Sequence, residues 1–251
     1  MCYRSSQRAA LEALKRRYKV EVRQPDLFEP FFHQSAFTHP LTPVIASNQP
    51  DQMQFFSWGL VPPWIRNKEQ LKAFLPDTMN ARAEDIYQTR SYKDAATSGK
   101  RCLIPVTGFF ESHTYHDQKG KDKKMPFYIH LKNTEIFSFA GLWSAWCDQE
   151  TGEMHHTYTV LTCEANTLLA KIHNTKKRMP LILSQDDERA WLDPGLTPGD
   201  VLGLVKPYPA DEIIAYPVSK NLHSPRTDMN TPEALLENRD FVFMPPDLFG
   251  L

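Results

Sequence analysis

Residues 136–146 read IFSFAGLWSAW and residues 156–164 read HTYTVLTCE. Both runs are dense in aromatic and β-branched residues and are separated by polar turn residues, which predicts two paired strands. Working outward, RCLIPV (101–106), GFFES (108–112) and MPFYIHL (125–131) extend the pattern upstream, and MPLILS (179–184) and EIIAYPVS (212–219) extend it downstream. PVIASN (43–48) and MQFFSWGL (53–60) predict a further strand pair joined through QPD. Helical patterns are shorter: SQRAALEALKRR (6–17) with Leu11 and Leu14 on one face and Ser5 or Ser6 as cap, then 67–75, 91–100, 165–173, 184–192 and TPGDVLGLV (197–205). Consecutive strands with interspersed helices predict an α+β fold. The expectation is a single domain over 1–251, with a curved antiparallel sheet or barrel-like core, peripheral helices and a surface tail from about residue 226.

Composition narrows the function classes. The 251 residues are 41% hydrophobic and 24% charged with a formal net charge of −1, so no global field draws the chain to nucleic acid or to an acidic membrane. A polyanion site must then be a local cluster of Lys and Arg. No apolar run approaches the roughly 20 residues of a membrane span, and the charged N-terminal region has no signal-peptide core. The chain reads as soluble and cytoplasmic. Cys2, Cys102, Cys147 and Cys163 share no metal-type spacing, so a metal site is not expected; the last three read as buried apolar residues.

Several positions are candidates for chemistry beyond packing. Cys2 becomes a 1,2-aminothiol if Met1 is removed; otherwise it is a small apolar residue entering a strand. Glu111 in GFFES shares a face with Phe109 by alternation, which suits a proton donor held against apolar groups; the bland alternative is a solvent-facing strand end. Asn80 and Arg82 in TMNARAED project to one side if extended, or begin a helix from an ordinary loop. His173 ends a helix before the basic run Lys176, Lys177 and Arg178, where it serves either proton transfer or capping. Trp58 and Trp64 bracket WGLVPPW and either stack unpaired bases or fill the core. Glycine-rich phosphate loops, G-x-S-x-G and H-E-x-x-H are absent, and HTYH (113–116) and the pair 155–156 read as structural or exposed.

Taken in order, MC-R at the start, WGLVPPW, NARAE, RCLIPVTGFFE, VLTCEAN, IHNTKKRMPLILS and YPVSK resemble the SOS response-associated peptidase (SRAP) family. The resemblance implies a compact α+β fold with a barrel-like sheet, and covalent capture of abasic sites in single-stranded DNA. No cofactor is implied, and a monomer that joins the nucleoid when on DNA is expected. It implies a catalytic set of Cys2, Asn80, Glu111 and His173. DNA contacts are implied at Arg4, Trp58, Trp64, Arg82, Arg90, Thr162 and Arg178. The family name adds autoproteolysis at Cys2, and a lyase side activity is implied as well.

The chemistry of an abasic site fits that assignment. Its open-chain aldehyde condenses with an amine, and an α-amine has a pKa of about 7.7–8.0, leaving a neutral fraction at physiological pH. The adjacent thiol then closes a five-membered thiazolidine intramolecularly. Glu111 is expected to protonate the ring oxygen or departing hydroxyl, His173 to exchange protons with thiol, amine or sugar, and Asn80 to hold the amine or the reacting oxygen. Phosphate contacts would make affinity fall with salt. The chain departs from the usual M-C-G-R-F/Y start, with Tyr3 for glycine and Ser5 for an aromatic residue, and its 173–178 loop is longer and more basic than usual. Two rivals remain: an N-terminal-nucleophile cysteine amidohydrolase of the glutamine amidotransferase type, and a non-catalytic single-strand binder.

Overall fold

A computed structural model describes residues 2–117, 119–224 and 227–241. Met1, and with it the question of its removal, and most of the end of the expected tail lie outside the described residues. The strands are β1 (Arg4–Gln7), β2 (Glu21–Val22), β3 (Phe31–Ser35), β4 (Leu41–Ala46), β5 (Gln52–Trp58), β6 (Asn80–Arg82) and β7 (Arg101–Val106). They continue as β8 (Gly108–His116), β9 (Asp122–Leu131), β10 (Phe137–Cys147), β11 (Met154–Glu164), β12 (Arg178–Pro180), β13 (Ile182–Leu183) and β14 (Ile213–Pro217). The helices are α1 (Leu11–Tyr18), α2 (Lys68–Phe74), α3 (Arg90–Thr97), α4 (Thr167–Ile172), α5 (Gln185–Leu192) and α6 (Pro198–Gly203).

The two opening stretches pair as predicted, with Gly141 opposite Val160 and Trp146 opposite His155. β10 also pairs with β7, β7 with β4 and β4 with β5, all antiparallel. β5 then meets β11 in parallel at Trp58 and Tyr158, which closes a five-stranded ring. The parallel seam is a matter of parity: alternating directions around an odd number of strands leaves one pair pointing the same way. The expected barrel-like α+β core is therefore present, closed by a parallel pair. Both faces of β10 are largely buried, so that strand reads as a continuous apolar run.

A second sheet, ordered β14-β9-β8-β1-β3, carries the chain start into the fold. Here the helix predicted from residue 6 is corrected. Residues 4–7 are strand β1, pairing Ser5 with both Phe109 and Gln34, and α1 begins only at Leu11, with no side-chain cap on Ala10. Pairing between two neighbouring strands outweighs the helical pattern there, because it satisfies the backbone of residues that are buried. Residues 227–241 lie over the outer face of this sheet, where Met229 and Ala234 are buried with Phe110 and Tyr128. Among the described residues no helix is long and apolar enough to cross a membrane.

Candidate active site

The alternation of β8 sets the site. Phe109, Glu111 and His113 are buried towards the main core, while Phe110 packs into the cluster on the opposite side. Glu111 is opposite Phe127 in the register with β9 and is 6% exposed. Cys2, next to the start of β1, is wholly buried, and its thiol donates to the Arg4 carbonyl at 3.4 Å. Burial, reinforced by the charge of Glu111, pushes the Cys2 thiol well above its usual range. The thiol therefore rests in its protonated form.

His173 comes from the end of α4. Its backbone N–H caps Leu169 at 2.7 Å, and its Nδ1 lies 2.9 Å from the Arg178 carbonyl and 4.0 Å from Glu111 Oε2. This helix end is clamped to β8. The Asn174 side chain makes two hydrogen bonds with the backbone of Thr114, at 3.0 and 2.8 Å, and His113 Nδ1 lies 3.0 Å from the Lys171 carbonyl. The clamp spans 60 residues of sequence at Asn174, and nothing in the local pattern signals it.

Asn80 begins β6, which runs parallel to β11 with Asn80 beside Val160. Its side chain is 8% exposed, and among the described residues neither its Nδ2 nor its Oδ1 has a hydrogen-bond partner. A buried amide left unsatisfied is costly and calls for a partner from outside the chain. The Tyr92 hydroxyl of α3 donates to the Asn80 carbonyl at 3.1 Å, which holds the start of β6 to that helix. A cavity of about 190 Å³ has Tyr3, Arg4, Glu111, Ser112, His173 and Lys176 in its lining, and neither Cys2 nor Asn80 is among the residues that line it. A larger depression of about 950 Å³ between α1 and α5 contains none of the candidate residues, and its Arg17–Glu188 ion pair is closed at 2.9 Å.

The expected DNA contacts divide. Arg4 lines the cavity, half-buried, and burial lowers its pKa while the charge of Glu111 opposes this. Arg82 is exposed beside Asp85 at 3.1 Å, and the Arg90 guanidinium lies 4.5 Å from the ring centre of Trp64. Trp58 is corrected: it is 1% exposed, its indole donates to the Met79 carbonyl at 2.8 Å, and it stacks on Tyr158 inside the barrel seam, leaving no face for a base. Thr162 is fully buried, with its hydroxyl donated to Ala81, so its side chain cannot reach a strand. Arg178 is also not a free cation. It grips Glu84 through two bonds of 2.8 and 2.7 Å and the Thr162 carbonyl through one of 2.6 Å. Among the cysteines, Cys147 is exposed at the end of β10 rather than buried.

The family model for SOS response associated peptidase (SRAP) matches residues 1–225. The chain belongs to the SRAP family. It is 31% identical to the abasic site processing protein YoqW of Bacillus subtilis over 237 residues, covering 94% of this chain and 99% of YoqW. It is 30% identical to the abasic site processing protein HMCES of Xenopus tropicalis over 197 residues, covering 71% of this chain and 55% of HMCES. A crystal structure of a Bacteroides thetaiotaomicron protein superposes with a TM-score of 0.86 at 34% identity, covering 94% of this chain and all of that one. SRAP membership and the α+β fold were thus both legible in the ordered segments, and Tyr3 was expected beside Cys2 either to crowd the cleft or to stack on a base, whereas Glu84 and Asn174 were missed as parts of the site. Glu84 lay within the quoted NARAE segment, the one available signal.

Proposed function

We propose that this SRAP chain processes abasic sites in single-stranded DNA by covalent capture through Cys2. The observation that carries the reading is the carboxylate–imidazole pair Glu111 and His173, 4.0 Å apart in the lining of one cavity, with Cys2 buried one residue before Tyr3 of the same lining and close enough to feel the charge of Glu111. The names of its relatives point to the same substrate class.

Loss of Met1 frees the α-amine of Cys2. The amine attacks the aldehyde carbon of the ring-opened sugar, and the carbinolamine hydroxyl leaves as water once protonated, giving an imine. The Cys2 sulfur then bonds to the imine carbon, and the thiol proton is transferred to the nitrogen, closing a thiazolidine. Glu111 and His173 are the groups positioned to carry these protons. The buried thiol has to lose its proton before it attacks, which places the acceptor beside it in the mechanism. The unsatisfied Asn80 amide offers one donor and one acceptor for the amine and the sugar oxygen. Arg4, Arg82 and the Trp64–Arg90 pair would hold phosphates, giving a salt-dependent affinity. Autoproteolysis and strand cleavage would be secondary outcomes of the same nucleophile.

Intact-mass measurement with and without an abasic single strand tests this directly. The expected spectrum shows the chain without Met1 and a denaturation-resistant adduct, both adduct and rate lost in Cys2→Ala. Adducts that persist in Cys2→Ala would remove the mechanism. Ammonia release from glutamine would favour the amidohydrolase, and equal affinity for intact and abasic strands without an adduct would favour simple binding.

A further inference from the structure

With Trp58 in the core, ring surface at the cavity lined by Glu111 and His173 comes from elsewhere. Tyr3, immediately after Cys2, is half-buried and lines the cavity with Glu111 and His173. Phe37 stacks on it, with ring centres 5.0 Å apart and planes inclined by 29°. Phe37 is 55% exposed, so one side of its ring meets Tyr3 while much of the remainder meets water. The support is rigid. The Ala36 N–H donates to the Tyr3 carbonyl at 2.8 Å, Thr38 Oγ1 donates to the Ser35 carbonyl at 2.9 Å, and His39 closes the turn in the left-handed region at φ 48°.

We infer that Tyr3 and Phe37 form a two-ring platform whose outer face receives the nucleobase next to the captured abasic sugar. This rests on the abasic-site reading above and adds a specificity-determining contact to it. The physical argument lies in what an abasic site lacks. A base beside the gap has lost its stacking neighbour and presents a bare π-face, and a fixed aromatic ring at the cavity rim replaces that neighbour. Stacking tolerates any base, because each has such a face. Tyr3 takes the place that glycine holds in the usual start of this family and supports Phe37 from behind. A glycine there would leave the phenyl ring without its partner.

The test uses single strands with a tetrahydrofuran residue in place of the abasic sugar, which has no aldehyde and cannot crosslink. One strand keeps the bases on both sides of the gap; the other lacks them. The wild-type protein is expected to bind the first about tenfold more tightly than the second, the size of one base–aromatic stack. Phe37→Ala should bind both at the weaker level, Phe37→Trp should restore the preference, and Tyr3→Gly should reduce it. An unchanged preference in Phe37→Ala overturns the platform. Capture of a natural abasic strand at saturating protein, read on a denaturing gel, keeps the two readings apart. Phe37→Ala is expected to reach the wild-type end point, so loss of adduct in both proteins would defeat capture itself. Loss of adduct in Phe37→Ala alone would instead assign Phe37 to the chemistry and overturn its role as a platform.

Discussion

A thiol without exposed surface is a weak nucleophile at neutral pH, and Cys2 is held in that state by burial and by the charge of Glu111. Cys147 is the exposed cysteine of the four. Iodoacetamide at neutral pH should therefore label Cys147 ahead of Cys2, Cys102 and Cys163 in the folded protein, with the order lost in urea, as read by peptide mass mapping. Early labelling of Cys2 would mean that its thiol is already activated in the free protein. At this scale the alternation in GFFES correctly gave the face of Glu111, since a strand leaves its side chains only two sides to choose from. It said nothing of Trp58, because an indole suits a base-binding wall and a barrel seam equally well. What decided between them was the hydrogen bond to Met79 and the stack on Tyr158.

Elements are what bring His173 to Glu111. The turn after α4 is held to β8 by Asn174, and Arg178 is held to the turn after β6 by Glu84 while its own carbonyl faces His173 at 2.9 Å. Glu84→Gln leaves one uncharged acceptor oxygen for Arg178 and turns the other into an NH2 donor facing the guanidinium, so one of the two bonds is lost and Arg178 is underpaired. It should cost about 1–3 kcal/mol in denaturant unfolding and slow adduct formation more than it weakens strand binding. A variant that loses affinity alone would return Arg178 to the role of a phosphate contact. In the barrel, Gly141 of β10 shows where strands approach too closely for a side chain: an added Cβ would lie 2.7 Å from the Thr159 carbonyl and 2.9 Å from the Cys102 sulfur. Gly141→Ala should destabilise the fold by about 1–3 kcal/mol, measured as a lower denaturation midpoint at unchanged slope. An unaltered midpoint would show that the strands can separate without penalty.

Across the whole molecule, the sheet that carries Cys2 has two histidines built into its outer side. His33 and His223 are each pushed down to about 4, first by burial and then by the charge of Arg4; Asp228 opposes this at His33, and Lys124 adds to it at His223. Both are neutral when folded, whereas an unfolded histidine titrates near 6.5. The unfolded chain thus takes up more protons between about pH 6.5 and 4, and stability should fall as pH drops through that window. Melting temperatures measured from pH 7.5 to 4 should show the decline, and a double His33→Gln, His223→Gln variant should flatten it; an equally steep fall in that variant would assign the effect to other groups. The order of strands, the apolar runs of the barrel and the family segments were determined by the sequence alone, because composition and period act along the chain. Ring closure through β5 and β11, the strand pairing of Ser6 and Gln7 in place of the predicted helix start, the pairing of Arg178 with Glu84 and the stack of Phe37 on Tyr3 were decided only in the tertiary structure. Each joins residues far apart in sequence, and each depends on which surfaces meet once the backbone groups and rings must be buried together.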